Sequence, residues 1–167
     1  MTPIIIETKH LHLRLLTHDD LEYIAGLHSD PEVRRFFPDG TQNIEQTKAR
    51  MDSLIDFYQK QGLPNFVMFL KASVEFVGRC GFGLIDTGEI EVGYLLHKKF
   101  WGKGYASEAL AALIEWAKQN IKTESIIAFA PEEHLASQRV MQKCEMQFYK
   151  QDLGHGVKCH FYRIKLR

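Results

Sequence analysis

The sequence EVGYLLHKKFWGKGYASEAL, from Glu91 to Leu110, decides the fold. Its apolar run Val92–Leu96 predicts a short buried strand, and the isolated Gly93 within it predicts a bulge or a close backbone approach. After Gly104 the apolar residues recur at helical spacing, which predicts a helix. A strand that enters a helix through Gly102 and Gly104 leaves free backbone N–H groups at the helix start. These groups and the helix dipole favour an anion, most often a phosphate.

The composition bounds the class of protein. With 167 residues the chain can form one domain with a core, and we expect a single domain over 1–167. Lys plus Arg equals Asp plus Glu at 21 each, so a large nucleic-acid surface is not expected and the anion site must be local. The three cysteines are odd in number and lack Cys-x-x-Cys spacing, which favours free thiols over zinc or disulfides. No apolar run approaches the roughly 18 residues of a membrane span, so a cytoplasmic protein without membrane contact is expected.

The rest of the chain alternates between strand and helix patterns, which predicts a mixed α/β (α+β) domain. The strand after the helix at 104–120 is predicted to run parallel to the strand at 89–96, and the other strands are predicted to be antiparallel. A short second helix is expected from Asp30-Pro31, because proline is favoured at a first helical position. Strands are predicted at 10–15, 66–70, 74–83, 89–96, 125–130, 146–149 and 158–166, and longer helices near 21–28, 44–62, 104–120 and 134–144.

Three segments together resemble the GNAT superfamily of N-acetyltransferases, and most closely its RimJ/RimL-like branch of ribosomal-protein N-terminal acetyltransferases. They are 8–21, 91–109 and 136–143, and the middle segment is the specific one. The resemblance implies a mostly antiparallel twisted sheet of about six or seven strands, splayed at a bulged strand (89–97) and flanked by about four helices. It implies acetyl-CoA as cosubstrate and a primary amine as acceptor, either a protein N-terminus or a small molecule, in a monomer or homodimer.

The resemblance also implies which residues hold the coenzyme. Backbone N–H groups from Trp101 to Ala106 would hold the pyrophosphate, and the pantetheine arm would pair with the strand at 94–96 like an added strand. Lys99 stands where the superfamily has Gln or Arg, so the charge is kept without the planar fork. On the last helix only Ser137 fits the superfamily pattern. The implied coenzyme-binding residues are Tyr94, Leu95, Leu96, Lys99, Trp101, Gly102, Lys103, Gly104, Tyr105, Ala106, His134 and Ser137.

The implied chemistry is attack of a neutral amine on the acetyl thioester. Glu91 is the first candidate for the base, acting through water; a solvated strand residue is the alternative. Ser137 is the candidate donor to the leaving thiolate, and an ordinary polar helix residue is an equal alternative. For Tyr149 half-buried packing is the better interpretation, although it could face the site. For Lys143 a solvated charge is favoured over a contact with a coenzyme phosphate.

Other functions fit these residues less well. A dinucleotide fingerprint would need glycine where Ser107 stands, and a Walker loop would need glycine at His97. No histidine pair stands at the H-x-x-x-H metal spacing, so no metal site is predicted. A domain that binds acetyl-CoA without turnover, as a sensor or partner module, stays open because the last helix departs from the superfamily at His134, Met141 and Glu145.

The acceptor side carries no specificity code that the sequence reveals. The substrate loops are predicted at 34–40 and 154–158. Phe36 and Phe37 are expected in the core, with a lid over a ligand as the alternative. Arg34 and Arg35 could attract an acidic peptide or a small carboxylate, but a solvated surface is the default expectation.

Overall fold

The computed structural model describes residues 3–167, whose strands form one sheet in the order β1-β2-β3-β4-β5-β6-β8-β7. The strands are β1 (Ile4–Glu7), β2 (Leu11–Leu15), β3 (Asn65–Leu70), β4 (Phe76–Leu84), β5 (Ile90–Leu96), β6 (Ser125–Pro131), β7 (Gln147–Gly154) and β8 (Val157–Lys165). The helices are α1 (Leu21–His28), α2 (Ile44–Gln61), α3 (Tyr105–Asn120) and α4 (Leu135–Lys143), with short 3₁₀ turns at 18–20 and 98–100. Among these described strands, only β5 and β6 run parallel, and every other neighbouring pair is antiparallel. The predicted mixed fold is therefore confirmed, with eight strands in the described part of the chain.

The helices cover both faces of the sheet because successive strand residues point to opposite sides. Phe66 and Met68 of β3 belong to the larger core, which also contains the apolar stripe of α3 and Met141 of α4. Val67 and Phe69 point the other way, into a second core with α1 and α2. The sheet thus separates a core on the α3 and α4 side from one on the α1 and α2 side.

Local signals place the ends of α2 as the sequence predicts. The Asn43 side chain accepts a hydrogen bond from the Gln46 N–H at 2.8 Å, and the Asn43 N–H donates to the Gln46 side chain at 2.9 Å. This reciprocal pair is a capping box. The helix ends at Gly62, whose φ of 71° lies in the left-handed region that glycine adopts without strain.

The helix predicted from Asp30-Pro31 is wrong: residues 31–36 form successive turns. The cause is Arg34, which is buried among groups of its own loop. Its guanidinium donates to the Gly40 carbonyl and to the Asp39 carboxylate, both at 2.8 Å. Wrapping the loop around this side chain is incompatible with a straight helix.

The predicted bulge at Gly93 is also wrong. The β4–β5 register runs unbroken from Gly78 opposite Leu96 to Leu84 opposite Ile90, with Gly93 opposite Gly81. The predicted splay is present, but it lies between β5 and β6, which are paired only at Glu91 and Ile127. The sheet opens there because β5 follows β4 throughout its length, while β6 follows β8.

One further strand was not predicted. β1 pairs with β2 at the edge of the sheet, and its Ile4 and Ile5 side chains are largely exposed. The segment therefore lacks the alternation of buried and exposed residues that marks a half-buried strand.

Among residues 3–167, no helix combines the length and apolar character that crossing a bilayer requires.

Candidate active site

The divergence of β5 from β6 opens a cleft of about 1480 Å³. Its walls are the free edge of β5, the start of α3, the start of α4, the loop at 32–38 and the turn at 154–157. Pockets for one small ligand usually measure about 300–1,000 Å³. The cleft therefore has room for two substrates side by side, and both predicted substrate loops line it.

Free backbone donors gather at the start of α3. Gly102 and Gly104 have φ values of 73° and 85°, in the left-handed region, and a Cβ at either would meet only open space. The first helical hydrogen bond runs from the Glu108 N–H to the Gly104 carbonyl at 3.0 Å. Within residues 3–167, no N–H group from Gly102 to Ser107 donates a hydrogen bond. This start of α3 can therefore bind an anion, as the sequence predicts.

The lysines near this turn lie elsewhere. Lys99 Nζ pairs with Glu75 Oε2 at 2.6 Å, beside the β3–β4 turn. Lys99 and Lys103 do not line the cleft, whereas Trp101, Gly102, Gly104, Tyr105 and Ala106 do. The structure therefore does not bring the Lys99 charge to the position that the resemblance implies.

The edge of β5 beyond Glu91 has no partner strand on the β6 side, so its backbone borders the cleft. Tyr94, Leu95 and Leu96 all line it. The Leu96 carbonyl already accepts a hydrogen bond from the Trp101 indole N–H at 3.0 Å. The Leu95 backbone pairs with Arg79 on β4, because strand residues alternate in hydrogen-bonding direction, so Tyr94 is the position left for pairing with an extended ligand.

Tyr94 also joins β5 to α4 through its side chain. Its hydroxyl lies 2.9 Å from Ser137 Oγ and donates to the Ser137 carbonyl at 3.1 Å. Burial raises the pKa of Tyr94, so the phenol keeps its proton at neutral pH. No local sequence pattern predicts this pair, because the two residues are 43 positions apart.

His134 stands at the start of α4, where Asn occurs in the superfamily pattern. Its Nδ1 accepts a hydrogen bond from the Ser137 N–H at 3.4 Å, so it caps the helix. The ring stacks on Phe36 with centroids 4.1 Å apart and planes 13° from parallel. Burial lowers the pKa of His134, and the Arg35 charge acts in the same direction. The imidazole is therefore neutral at physiological pH.

Phe36 and Phe37 line the cleft. The prediction that they lie in the core is therefore wrong. Through its stack on His134, Phe36 links the loop after α1 to the start of α4 across the cleft. Phe37 lies under the Arg34 guanidinium, 3.9 Å from its ring centroid. The alternative of an aromatic lid fits Phe36 better than core packing does.

Glu91 lies on the α1 and α2 side of the cleft. A Cβ on Gly83, its partner on β4, would lie 3.0 Å from Glu91 Oε1, so this glycine makes room for the carboxylate. Burial raises the pKa of Glu91, while the charges of His155, Arg50 and Arg79 oppose that shift. No side chain or backbone group in residues 3–167 donates a hydrogen bond to this carboxylate. It is therefore free to accept a proton from a ligand.

The remaining sequence candidates divide between cleft and surface. The Tyr149 hydroxyl donates to Glu89 at 3.2 Å, and Arg163 covers its ring at 4.0 Å. Tyr149 is not part of the cleft wall, so packing is the correct interpretation. Lys143 does line the cleft, at the end of α4, with an exposed side chain.

Two arginines of the cleft wall are not predicted from the sequence. Arg79 of β4 and Arg50 of α2 both line the cleft. Arg79 Nε donates to His28 Nε2 at 2.9 Å, and His28 Nδ1 lies 3.0 Å from Gln42 Oε1. Burial lowers the pKa of His28 to about 3, assisted by the Arg79 charge, so the imidazole is neutral. Burial lowers the pKa of Arg79 to about 9, which still leaves it charged at neutral pH.

Comparison with known proteins agrees with this geometry. The family model described as an acetyltransferase (GNAT) domain matches residues 10–147. The chain is 32% identical over 144 residues to the uncharacterized N-acetyltransferase p20 of Bacillus licheniformis, covering 84% of this chain and 80% of that protein. It is 27% identical over 155 residues to the uncharacterized N-acetyltransferase YnaD of Bacillus subtilis, covering 90% and 89%.

Solved structures share the fold. A GNAT-family acetyltransferase from Bacillus anthracis superposes with a TM-score of 0.80 at 26% identity, covering 96% of this chain and 98% of that one. The ribosomal alpha-N-protein acetyltransferase RimL, in complex with coenzyme A, superposes with a TM-score of 0.83 over 98% of both chains. Its 18% identity establishes the shared fold alone. The family match over most of the chain and the identity to p20 show that this protein belongs to the GNAT acetyltransferase family and is an N-acetyltransferase that uses acetyl-CoA.

Proposed function

We propose that the protein transfers the acetyl group of acetyl-CoA to a primary amine, with both substrates bound in the cleft and the neutral amine attacking directly. One observation carries this proposal. The same cleft holds free N–H groups at the start of α3 and, on its other side, the unbonded Glu91 carboxylate. An anion-binding end and a proton-accepting end in one continuous space suit a transfer between two bound molecules.

On the coenzyme side, the open backbone at Gly102 and Gly104 leaves space for phosphates beside the free N–H groups. The unpaired edge of β5 at Tyr94 suits an extended arm with amide groups. Acetyl-CoA supplies the acetyl group as an activated thioester. A strand N–H near Tyr94 or Leu95 is the proposed donor to the developing oxyanion.

On the acceptor side, Glu91 is the proposed base, acting directly or through a water molecule. Its raised pKa moves it towards that of an α-amine, about 8, which eases proton transfer. An α-amine is roughly one-tenth neutral at pH 7, whereas a lysine amine is about a thousandfold rarer in neutral form. Positioning and one carboxylate therefore suffice for a low-pKa amine.

Ser137 is the proposed proton donor to the leaving thiolate. Its hydroxyl lies 2.9 Å from the Tyr94 hydroxyl, which orients it for this donation. A thiol pKa of about 8.5, by analogy with cysteine, means that a weak donor is enough. This pair would serve where many members of the superfamily use a tyrosine on the helix, at the position that Met141 occupies here.

The acceptor is either a protein N-terminal α-amine or a small-molecule amine. RimL is named as an alpha-N-protein acetyltransferase. A relative from Aspergillus fumigatus, 26% identical over 149 residues, is named an FsC-acetyl coenzyme A-N(2)-transacetylase. Both names describe transfer to nitrogen, and they support an amine acceptor for this chain without choosing between the two classes.

The test is thiol release from acetyl-CoA in the presence of an amine panel, with mass spectrometry of the products. The panel should contain peptide N-termini, amino acids and simple amines. Release that depends on the amine, with a product heavier by one acetyl group, is the expected result. Tight acetyl-CoA binding with no release on any amine would instead favour a non-catalytic sensor or partner module.

A further inference from the structure

Arg50 and Arg79 are charged side chains of the cleft wall that have no anionic partner. Arg14 pairs with Asp20 at 2.7 Å, and Arg34 pairs with Asp39 at 2.8 Å. Within residues 3–167, no carboxylate forms a salt bridge with Arg50 or Arg79. Arg50 is exposed to solvent, whereas Arg79 is half-buried, and a half-buried arginine without a counter-charge favours an anion from outside the chain.

Arg79 is held in place without being neutralised. Its Nε donates to His28 Nε2, and His28 is itself oriented by Gln42. Because Nε2 accepts, the ring proton of this neutral imidazole is on Nδ1. The terminal nitrogens of Arg79 make no hydrogen bond to any group in residues 3–167. The guanidinium is thus fixed in direction and keeps its charge and its outer donors for a ligand.

The sheet leaves a path from these donors to Glu91. In the β4–β5 register, Arg79 is opposite Leu95 and Glu91 is opposite Gly83, so both side chains project from the same face. The pair between them is Gly81 and Gly93, which puts no side chain on that face. Four strand residues span about 13 Å, and the Arg79 and Glu91 charges are close enough to act on each other's pKa. A ligand of a few bonds can reach both.

The charges of this wall define the ligand. Among the charges that act on Arg79, Arg34 is paired with Asp39, so Arg50 and Arg79 against Glu91 leave one positive charge near this guanidinium. A single carboxylate balances it and matches the guanidinium fork. The same positive field disfavours an ammonium and favours a neutral amine, which is the reactive form.

We propose that Arg50 and Arg79 form a carboxylate subsite, and that the acceptor is a small amine with a carboxylate a few bonds from its nitrogen, as in amino acids. This proposal rests on the proposed function and adds the substrate class. In it, the carboxylate binds the arginine pair while the amine lies beside Glu91.

The experiment compares each amino acid in a panel with its own amino-acid amide, which keeps the amine and removes the negative charge. For the wild type we expect kcat/KM to be about 10- to 100-fold higher for the acid than for the amide. Arg79→Gln and Arg50→Gln should each remove most of this preference, chiefly by raising KM for the acid. Rates with the amide should fall less than rates with the acid, because the amide loses only the effect of the positive charge on its amine. Arg163→Gln, outside the cleft, is the matched control and should keep the preference.

Two results would overturn the subsite. One is a wild type that uses amides as well as acids, and the other is an arginine variant that loses both substrates equally. The latter would mean that the arginines serve the fold or Glu91. If no amine is acetylated, calorimetric titration with N-acetyl amino acids and their amides decides the question. If only the acids bind, and their binding depends on Arg79, the subsite is supported although the proposed transfer fails. If acids and amides bind equally, both the subsite and the proposed transfer are rejected.

Discussion

Glu91 combines features that a catalytic base requires. It is largely buried, it faces the cleft, and Gly83 leaves room for its carboxylate. We expect Glu91→Gln to lower kcat by about 10²- to 10⁴-fold, the usual contribution of a positioned base. The dissociation constant for acetyl-CoA, measured by calorimetry, should stay unchanged because the coenzyme binds at the α3 end. If Glu91→Gln keeps the full kcat, Glu91 is not the catalytic base.

The pH dependence of Glu91 follows from the same burial. Its pKa lies above the ordinary value of 4.5, so the acid limb of kcat/KM should also lie above that pH and vanish in Glu91→Gln. A raised carboxyl pKa also means that the ionised form is the less stable one in the folded protein. Glu91→Gln should therefore have a higher Tm than wild type at pH 8, and the difference should shrink as the pH falls to 4.

Tyr94 is the residue whose role is least apparent from the sequence. Tyr94→Phe removes the hydrogen bonds to Ser137, and we expect the free energy of unfolding to fall by about 1 kcal/mol. We also expect kcat to fall by about tenfold, because the Ser137 hydroxyl loses its orienting partner. Tyr149→Phe removes a hydrogen bond outside the cleft and should leave kcat unchanged. If Ser137→Ala loses activity while Tyr94→Phe does not, Ser137 acts without Tyr94.

At the scale of elements, the start of α3 is the feature that the sequence predicts most completely. Glycine spacing, helix periodicity and free N–H groups all follow from neighbouring residues. The contribution of the lysines does not, because Lys99 finds Glu75 on a turn 24 positions away. The incorrect helix prediction after Asp30 has a similar origin. Proline favours the start of a helix there, but the buried Arg34 side chain bonds to its own loop instead.

The same element provides a test by charge. Gly104→Asp places a carboxylate among the donors that are proposed to bind phosphate, so acetyl-CoA affinity should fall by at least about 100-fold. Gly62→Asp is its matched control. Gly62 also has a left-handed φ, 71° against 85°, and also has open space around it, but it does not line the cleft. Gly62→Asp should share the backbone strain but keep the wild-type affinity for acetyl-CoA, as measured by fluorescence titration. Equal losses in the two variants would contradict the site.

At the scale of the whole molecule, His28 links the acceptor side of the cleft to global stability. Its pKa of about 3 in the folded protein compares with 6.5 for an unperturbed histidine. The unfolded chain therefore takes up a proton as the pH falls below 6.5, while the folded protein does not until about pH 3. Stability from this group is fully present above pH 6.5 and is lost progressively between these values.

This linkage is measurable by urea unfolding. Between pH 6.5 and 5, we expect the free energy of unfolding to fall by about 1 kcal/mol per pH unit. His28→Gln should flatten this slope, because an amide does not titrate in the range. His18→Gln, at an exposed position, should keep the wild-type slope. A slope unaffected by His28→Gln would show that other groups cause the acid sensitivity.

The fold class and the coenzyme side of the cleft follow from the sequence because local periodicity and one motif specify them. The acceptor side does not. Arg79 and His28 are 51 positions apart, and Tyr94 and Ser137 are 43 apart. Only the packing of α1, α2 and α4 against the sheet brings these pairs together. The residues of these pairs are single polar residues without a spacing pattern, so no local sequence signal predicts the pairing.

The central claim is that the cleft between β5 and β6 holds acetyl-CoA, with its phosphates at the start of α3. Hydrogen–deuterium exchange of the wild-type protein with and without acetyl-CoA tests this directly. The account predicts slower exchange for peptides covering 92–96 and 102–107, because the N–H groups of Tyr94 and of 102–107 border the cleft, and unchanged exchange in β1 and β2. Protection confined to other segments, or none at a saturating coenzyme concentration, would contradict it.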